Sequence, residues 1–151
     1  MLDPQKIHRV ARWIHKRGVR KVPALLQRIN YFLTGCDLPA QVQVGQRVRF
    51  MHHGAGVVIH CQAVIGNDVM IHPHVVVGQN VRQGVAVPLQ QIVIGNRVQL
   101  GAGAKIIASG FLEIGDGATV GANAVVLHSV PPNCTAVGVP ARILPPKVAA
   151  P

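Results

Sequence analysis

The stretch Ile94-Gly-Asn-Arg-Val-Gln-Leu100-Gly-Ala-Gly-Ala-Lys-Ile106 decides how this chain folds. A large aliphatic residue returns every six positions, and at Ile94 and Leu100 a Gly follows it directly. A strand repeats every two residues and a helix every 3.6, so a period of six fits neither alone. Upstream, Ile59, Ile65, Ile71 and Val77 keep the same spacing, and Leu112 extends it downstream. The register then shifts by two, and Ile114, Val120 and Val126 carry it on. Gly follows the aliphatic residue at 66, 78, 95, 101, 115 and 121. Four places after the aliphatic residue stand small or branched residues: Val69, Val75, Val81, Val98, Ala104, Ala118 and Ala124.

This is the pattern of hexapeptide repeats coiled into a parallel β-helix. Each hexad supplies one short strand and one corner. The first residue fills the interior of a triangular prism, and Gly accepts the corner. The fifth residue stays small or branched because it packs beside the next corner. Stacked coils then bury one another.

Two departures interrupt the repeat. Phe50 to Ile59 spans nine positions rather than six and contains Met51-His-His-Gly-Ala-Gly56. Residues 79–91 leave the repeat and are expected to protrude as a loop. In a repeat protein, such departures are where function tends to reside.

Before residue 35 the apolar period is helical. Ile7, Val10, Ala11 and Ile14 form one stripe, with Asp3-Pro4 as its start. Val22, Leu25, Leu26, Ile29, Phe32 and Leu33 form a second, separated by Gly18 and stopped by Gly35. The expected organisation is a basic helical cap over 1–36, a β-helix over 37–145 and a short tail over 146–151.

Composition sets the limits. A chain of 151 residues suits one domain. With 49% hydrophobic and 3% aromatic residues its core is aliphatic, and disorder is excluded. No apolar run approaches the ~20 residues of a membrane-spanning helix. Seven Lys or Arg fall between Met1 and Lys21, with no apolar signal-peptide core among them. Cys36, Cys61 and Cys134 are odd in number and scattered, which suits thiols of a cytoplasmic protein better than a disulfide framework or zinc site. The net charge is +10, and eight of the 15 basic residues precede position 29. That imbalance points to an anionic partner: nucleic acid, an anionic membrane or a phosphorylated ligand. No aromatic–basic interleaving supports nucleic acid, so none is expected.

Four segments in order resemble the serine acetyltransferase branch of the left-handed β-helix acyltransferases, a branch that includes exopolysaccharide O-acetyltransferases. They are Tyr31-Phe-Leu-Thr-Gly-Cys-Asp-Leu38, Phe50-Met-His-His-Gly-Ala-Gly-Val-Val-Ile59, Leu100-Gly-Ala-Gly-Ala-Lys-Ile106 and Val130-Pro-Pro-Asn-Cys-Thr-Ala-Val-Gly-Val-Pro-Ala-Arg-Ile143. The resemblance runs from about residue 10 to 145. It implies an all-β fold, a left-handed parallel β-helix with a helical N-terminal cap. It also implies a homotrimer with acetyl-CoA as acyl donor, lying between adjacent prisms. Family members proper carry a longer N-terminal helical region that joins two trimers, so a lone trimer is expected here.

The resemblance places the general base at His53, just before Gly-x-Gly. Imidazole suits the role because its ordinary pKa lies near neutrality. Asp37 matches the acid that orients it, as in a triad. It precedes His53 by about one coil, so stacking is expected to bring the two together. Without the motif, His53 would read as a structural imidazole and Asp37 as a helix-end residue. Gly101, Ala102, Gly121 and Ala122 match the coenzyme edge, with Lys105 and Arg142 near the phosphates and adenine.

For the acceptor, His52, Gln90, Gln91 and Arg82 are the candidate contacts. Adjacent residues on a strand face opposite ways, so His52 is expected to support rather than share the role of His53. Serine acetyltransferases carry Arg-His-Pro where this chain reads Gln90-Gln91-Ile92. Losing the guanidinium removes a bidentate grip on a carboxylate. The expected acceptor is therefore a sugar hydroxyl, with L-serine as the alternative. A γ-carbonic-anhydrase-like zinc protein and a non-catalytic scaffold stay open as readings from other classes. His72 and His74 share a strand face but lack a third ligand, so no metal is expected. Lys6, Arg9, Arg12, Lys16, Arg17, Arg20 and Lys21, with Trp13 beside them, read either as a membrane-facing surface or as the solvated side of a trimer cap.

Overall fold

Short parallel strands form three faces of a prism in the computed structural model, which describes residues 3–80 and 91–146. One face holds β1 (Gln43–Val44), β4 (Ala63–Ile65), β7 (Gln91–Ile94) and β10 (Phe111–Ile114). The second holds β2 (Arg49–Phe50), β5 (Met70–Ile71), β8 (Gln99–Leu100), β11 (Thr119–Val120) and β13 (Thr135–Val137). The third holds β3 (Val58–Ile59), β6 (Val76–Gln79), β9 (Lys105–Ala108) and β12 (Val125–Val126). A final antiparallel strand, β14 (Arg142–Leu144), closes the second face against β13.

Every described first-position aliphatic residue of the repeat points inward. Ile59, Ile65, Ile71, Val77, Ile94, Leu100, Ile106, Leu112, Ile114, Val120 and Val126 are all buried. So are Val69, Val75, Val98, Ala104, Ala118 and Ala124 beside the corners. The strand register shows how the departures are absorbed. Ile59 stacks on Val77, three hexads further along, which makes one regular coil. Ile65 stacks on Ile94, so the coil between them carries the whole of the long departure from the repeat. Ile94 stacks on Ile114, which absorbs the shift in register by holding Leu112 and Ile114 both inside β10. Both ends of the expected loop over 79–91 belong to strands, β6 running through Gln79, opposite Ala108, and β7 beginning at Gln91, opposite Phe111; positions 81–90 lie outside the described residues.

Between the first and second faces, an amide ladder holds the corner. The Asn67 side-chain oxygen accepts the Gln46 N–H at 2.8 Å, and Asn96 accepts the Asn67 N–H at 2.9 Å. Asp116 accepts the Asn96 N–H at 2.7 Å. Each side chain supplies the acceptor that the tight turn of the preceding coil lacks. Gly45, Gly66 and Gly95 stand directly below; a Cβ on Gly45 would meet the Gly66 carbonyl oxygen at 2.4 Å.

Two helices form the N-terminal cap, and the inward side of the first is rotated partly off the expected apolar stripe: Ala11 is buried and Ile7 and Ile14 half-buried, but polar Gln5 and His8 are buried with them. Helix α1 (Pro4–His15) starts at Asp3, whose carboxylate accepts the Gln5 N–H at 2.9 Å. Gly18, at φ 83, breaks it from α2 (Lys21–Thr34), and Gly35, at φ 72, ends α2. The side of α1 turned inward carries Pro4, Gln5, His8 and Ala11, whereas Val10 of the expected apolar stripe is exposed. The reason is the end of the prism, which presents backbone carbonyls with no coil to pair them. Polar side chains meet them. Gln5 Nε2 donates to the Val48 carbonyl, and His8 Nε2 lies 3.2 Å from that of Pro39. Arg12 donates to Gln41 and Val42 at 2.8 and 2.9 Å. On α2, Val22, Leu25, Ile29, Phe32 and Leu33 all stay exposed in the single chain.

Candidate active site along one prism edge

The corner between the second and third faces carries most of the residues picked out from the sequence. It begins with the shorter departure, between Phe50 and Ile59, which folds as a 3-10 turn over Met51–Gly54. His52 (φ 50, ψ 44) and His53 (φ 61, ψ 14) both take left-handed backbone angles there. Such angles cost a side-chain-bearing residue roughly 1–2 kcal/mol and persist only where the surroundings enforce them. The enforcement is visible. Gly54 is wedged so closely that a Cβ would meet Cys36 Sγ at 3.2 Å and Phe50 Cδ1 at 3.3 Å. The Gly56 N–H donates to Gly35 at 3.1 Å, and the His74 N–H donates to Ala55 at 2.8 Å. The His74 ring lies over Gly56, where a Cβ would come within 2.2 Å of Nδ1. The strand argument that set His52 and His53 on opposite faces therefore does not apply. Neither residue is extended, and both line one depression.

That depression, about 410 Å³, is walled by Asp3, Pro4, Lys6, Val48, Arg49, Phe50, Met51, His52 and His53. Asp37 lines a different one of about 360 Å³ with Gln27, Arg28, Tyr31 and Phe32. The strand register of Asp37 also differs from the expected stacking. Its parallel partner is Val58, in the strand beyond the turn, and not His53. The Asp37 N–H donates to Val57 at 2.8 Å, and the Ile59 N–H donates to Asp37 at 3.0 Å. The acid is thus bound to the strand that leaves the histidine turn, and its carboxylate accepts a 2.7 Å hydrogen bond from Gln27. Beside it, burial with a contribution from Asp37 pushes the Cys36 thiol up to about 12, so Cys36 supplies no thiolate nucleophile.

The coenzyme candidates share this edge. The turns after β8 and β11 stack directly, the Asn123 N–H donating to Ala102 at 2.8 Å. Lys105 pairs with Val125, whose carbonyl accepts the Ala141 N–H next to Arg142. The edge therefore runs from the His52–His53 turn past His74 to Gly101–Lys105, Gly121–Val125 and Arg142. At ~4.8 Å per coil, four steps make it about 19 Å long. Ala102, Lys105, Ala122 and Arg142 are exposed. Gly101 has a structural reason to be Gly, since a Cβ would meet the Ala122 nitrogen at 2.6 Å.

The two acceptor candidates among the described residues, His52 and Gln91, lie on different parts of the prism. His52 lies on this edge, while half-buried Gln91 begins β7 on the first face. Arg82 and Gln90 lie outside the described residues. Among those described, no group of three or more His, Cys, Asp or Glu could hold a metal ion. Sequence reasoning missed three neighbours. Arg49 precedes the turn on an outward strand position, a signal that was legible. Lys6 and Gln27 reach the site only through helix docking, which no motif records.

Known proteins resemble this chain in sequence and in fold. The chain is 37% identical over 137 residues, 91% of its length, to the serine acetyltransferase of Synechococcus elongatus, of which it covers 54%. It is 37% identical over the same length to that of Helicobacter pylori J99 and covers 77% of it. The chain belongs to the serine acetyltransferase-like branch of the hexapeptide-repeat acyltransferases. A solved serine acetyltransferase in complex with CoA superimposes on 93% of the chain with a TM-score of 0.83 and 31% identity. The fold shared with this family is the left-handed parallel β-helix with an N-terminal helical part. The chain spans about half the length of the Synechococcus relative and 55% of that solved structure. No protein-family model matches the chain, so membership rests on these individual relatives.

Proposed function

We propose that this chain is an acetyl-CoA-dependent O-acetyltransferase that works as a homotrimer and acetylates a small hydroxyl acceptor, L-serine first among them. The observation that carries this reading is the single prism edge on which the strained His52–His53 turn, Lys105 and Arg142 are aligned, in a chain 37% identical to serine acetyltransferases. The preference for serine over the sugar expected from the loop follows the named activity of those relatives. A sugar hydroxyl stays the second reading, favoured by Gln91 standing where a cationic grip would be needed.

In this mechanism His53 takes the acceptor proton as the hydroxyl oxygen attacks the thioester carbonyl. The tetrahedral intermediate collapses, the C–S bond breaks, and the proton passes to the leaving thiolate. The resemblance gives Asp37 the role of orienting the imidazole and stabilising its charged form; in the single chain its carboxylate accepts from Gln27 instead and lines a separate depression. Backbone N–H groups at the corner turns meet the oxyanion. Gly101, Ala102, Gly121 and Ala122 give the pantetheine arm close approach, while Lys105 and Arg142 meet the phosphates. Transfer is direct, with no metal. The trimer is supported by the exposed apolar residues of α2 and by the separation of His52 from Gln91, which a neighbouring prism would span.

Among the described residues no helix is long and apolar enough to cross a membrane. A cytoplasmic enzyme resting on anionic lipid through α1 would use exposed Lys6, Arg9, Lys16 and Arg17. Sedimentation with anionic vesicles checks that contact.

The test of function is CoA thiol release from acetyl-CoA with L-serine and with sugars, for wild type and His53→Ala. Release that needs both L-serine and His53 is expected. Release only with sugars moves the acceptor to the second reading. Equal release by His53→Ala, or no CoA binding, overturns the proposal.

A further inference from the structure

Two cations converge on the histidine turn from opposite ends of the N-terminal third. Lys6 comes from the first turn of α1, and Arg49 from β2 immediately before Phe50 and Met51. Both line the depression that holds His52 and His53. Their proximity is built. Gln5 donates its side-chain amide to the Val48 carbonyl, joining the residue before Lys6 to the residue before Arg49. Both cations are exposed, and among the described residues no carboxylate pairs with either. The nearest acid along the strand stack, Asp68, is taken by Arg47 through two contacts of 2.6 and 2.7 Å. Asp3, the one carboxylate in the depression, is turned to its own helix and accepts the Gln5 N–H. The depression therefore holds an excess of positive charge beside the proposed base.

Resting on the acetyl-transfer reading above, we infer that Lys6 and Arg49 form an anion clamp next to His53 and that the acceptor is a hydroxyl compound bearing a carboxylate or phosphate. The grip that Gln90 and Gln91 do not supply from the loop comes from the helical cap and β2 instead. A guanidinium meets either anion with two parallel hydrogen bonds, and the ammonium adds a point charge. The anion fixes one end of the acceptor so that its hydroxyl lies at His53. Such binding acts in both ground and transition states, so its loss raises KM more than it lowers kcat.

The test uses the full chain and matched acceptors: L-serine against L-serinamide, and glycerol 3-phosphate against glycerol. Wild type is expected to prefer the charged member of at least one pair by 10-fold or more in kcat/KM. Which pair shows the preference identifies carboxylate or phosphate. In Lys6→Gln/Arg49→Gln the preference should collapse through a rise in acceptor KM, with the acetyl-CoA KM unchanged. Arg49→Lys should retain part of it. Both side chains are exposed, and a thermal melt confirms that the variants fold. A wild-type enzyme indifferent to acceptor charge, or a preference that survives in the double variant, overturns the clamp. If no acceptor gives turnover, the acetyl-transfer reading fails by itself. Calorimetric titration with L-serine and with inorganic phosphate then judges the clamp: binding lost in the double variant keeps it, and no binding by wild type ends it.

Discussion

The side-chain amide of Gln27 donates a 2.7 Å hydrogen bond to the carboxylate of Asp37, joining α2 to the acid of the first coil. Asp37 is half-buried, and its backbone is locked to Val57 and Ile59, so the amide fixes the orientation that the backbone leaves open. Gln27→Leu keeps the bulk and removes the donor. Unfolding free energy is expected to fall by about 1.5–3 kcal/mol, the usual size of a hydrogen bond to a charged group. If Asp37 orients His53, kcat falls about 10-fold with acceptor KM little changed, and Gln27→Glu does not restore it. Steady-state kinetics with denaturant melts separate the two effects.

Asn96 serves two coils at once. Its side-chain oxygen accepts the Asn67 N–H, and its amide donates to Asp116 at 3.1 Å. Asn96→Ala leaves the Asn67 N–H without its protein acceptor at a corner that repeats through the prism. Because that N–H is exposed and water can replace the lost acceptor, a loss of about 0.5–1.5 kcal/mol is expected. Asn96→Asp should recover part of it, because its carboxylate can accept the same N–H but repels Asp116. Equilibrium denaturation checks both variants, and catalytic constants of the folded fraction should stay at wild-type values because this corner lies off the histidine edge.

His8 makes stability depend on pH. Burial, the largest influence, lowers its pKa to about 4 despite the opposing Pro39 carbonyl, while Arg12 adds to the lowering. The unfolded chain, with an ordinary value near 6.5, binds the proton first. Its contribution is therefore complete above about pH 6.5 and is lost progressively as pH falls toward 4. The loss amounts to about 3 kcal/mol at full protonation of both states. Melting between pH 8 and pH 4 should show it, and His8→Gln should flatten that slope.

Thiol chemistry should single out one cysteine. Cys61 is exposed in the turn after β3, whereas Cys36 and Cys134 are buried, Cys36 with its thiol pushed up to about 12. A thiol reagent at pH 8 is expected to label Cys61 in the native protein and all three residues after denaturation. Mass spectrometry of the labelled peptides reads this directly. Reaction of native Cys36 would contradict the packing of Gly54 against it.

The prism was legible from residue spacing alone. Its interior is set by a period of six that needs no knowledge of neighbours, because each coil repeats the same local balance between an inward aliphatic residue and a permissive corner. Ile94, Leu100 and Ile106 announce that period within one short stretch, and even the shift in register at Leu112 and Ile114 could be counted. His53 stood out because it breaks the repeat. The cap could not be read the same way. Its apolar stripes suggested which side faces inward, yet Gln5, His8 and Arg12 turn inward because the open end of a β-helix offers carbonyls, not methyl groups. The left-handed turn that puts His52 beside His53 also came from tertiary constraint, through Gly54 on Cys36 and His74 over Gly56. Lys6 and Arg49 meet for the same reason. Sequence separation hides contacts made by docking, and only the folded chain brings position 6 to position 49.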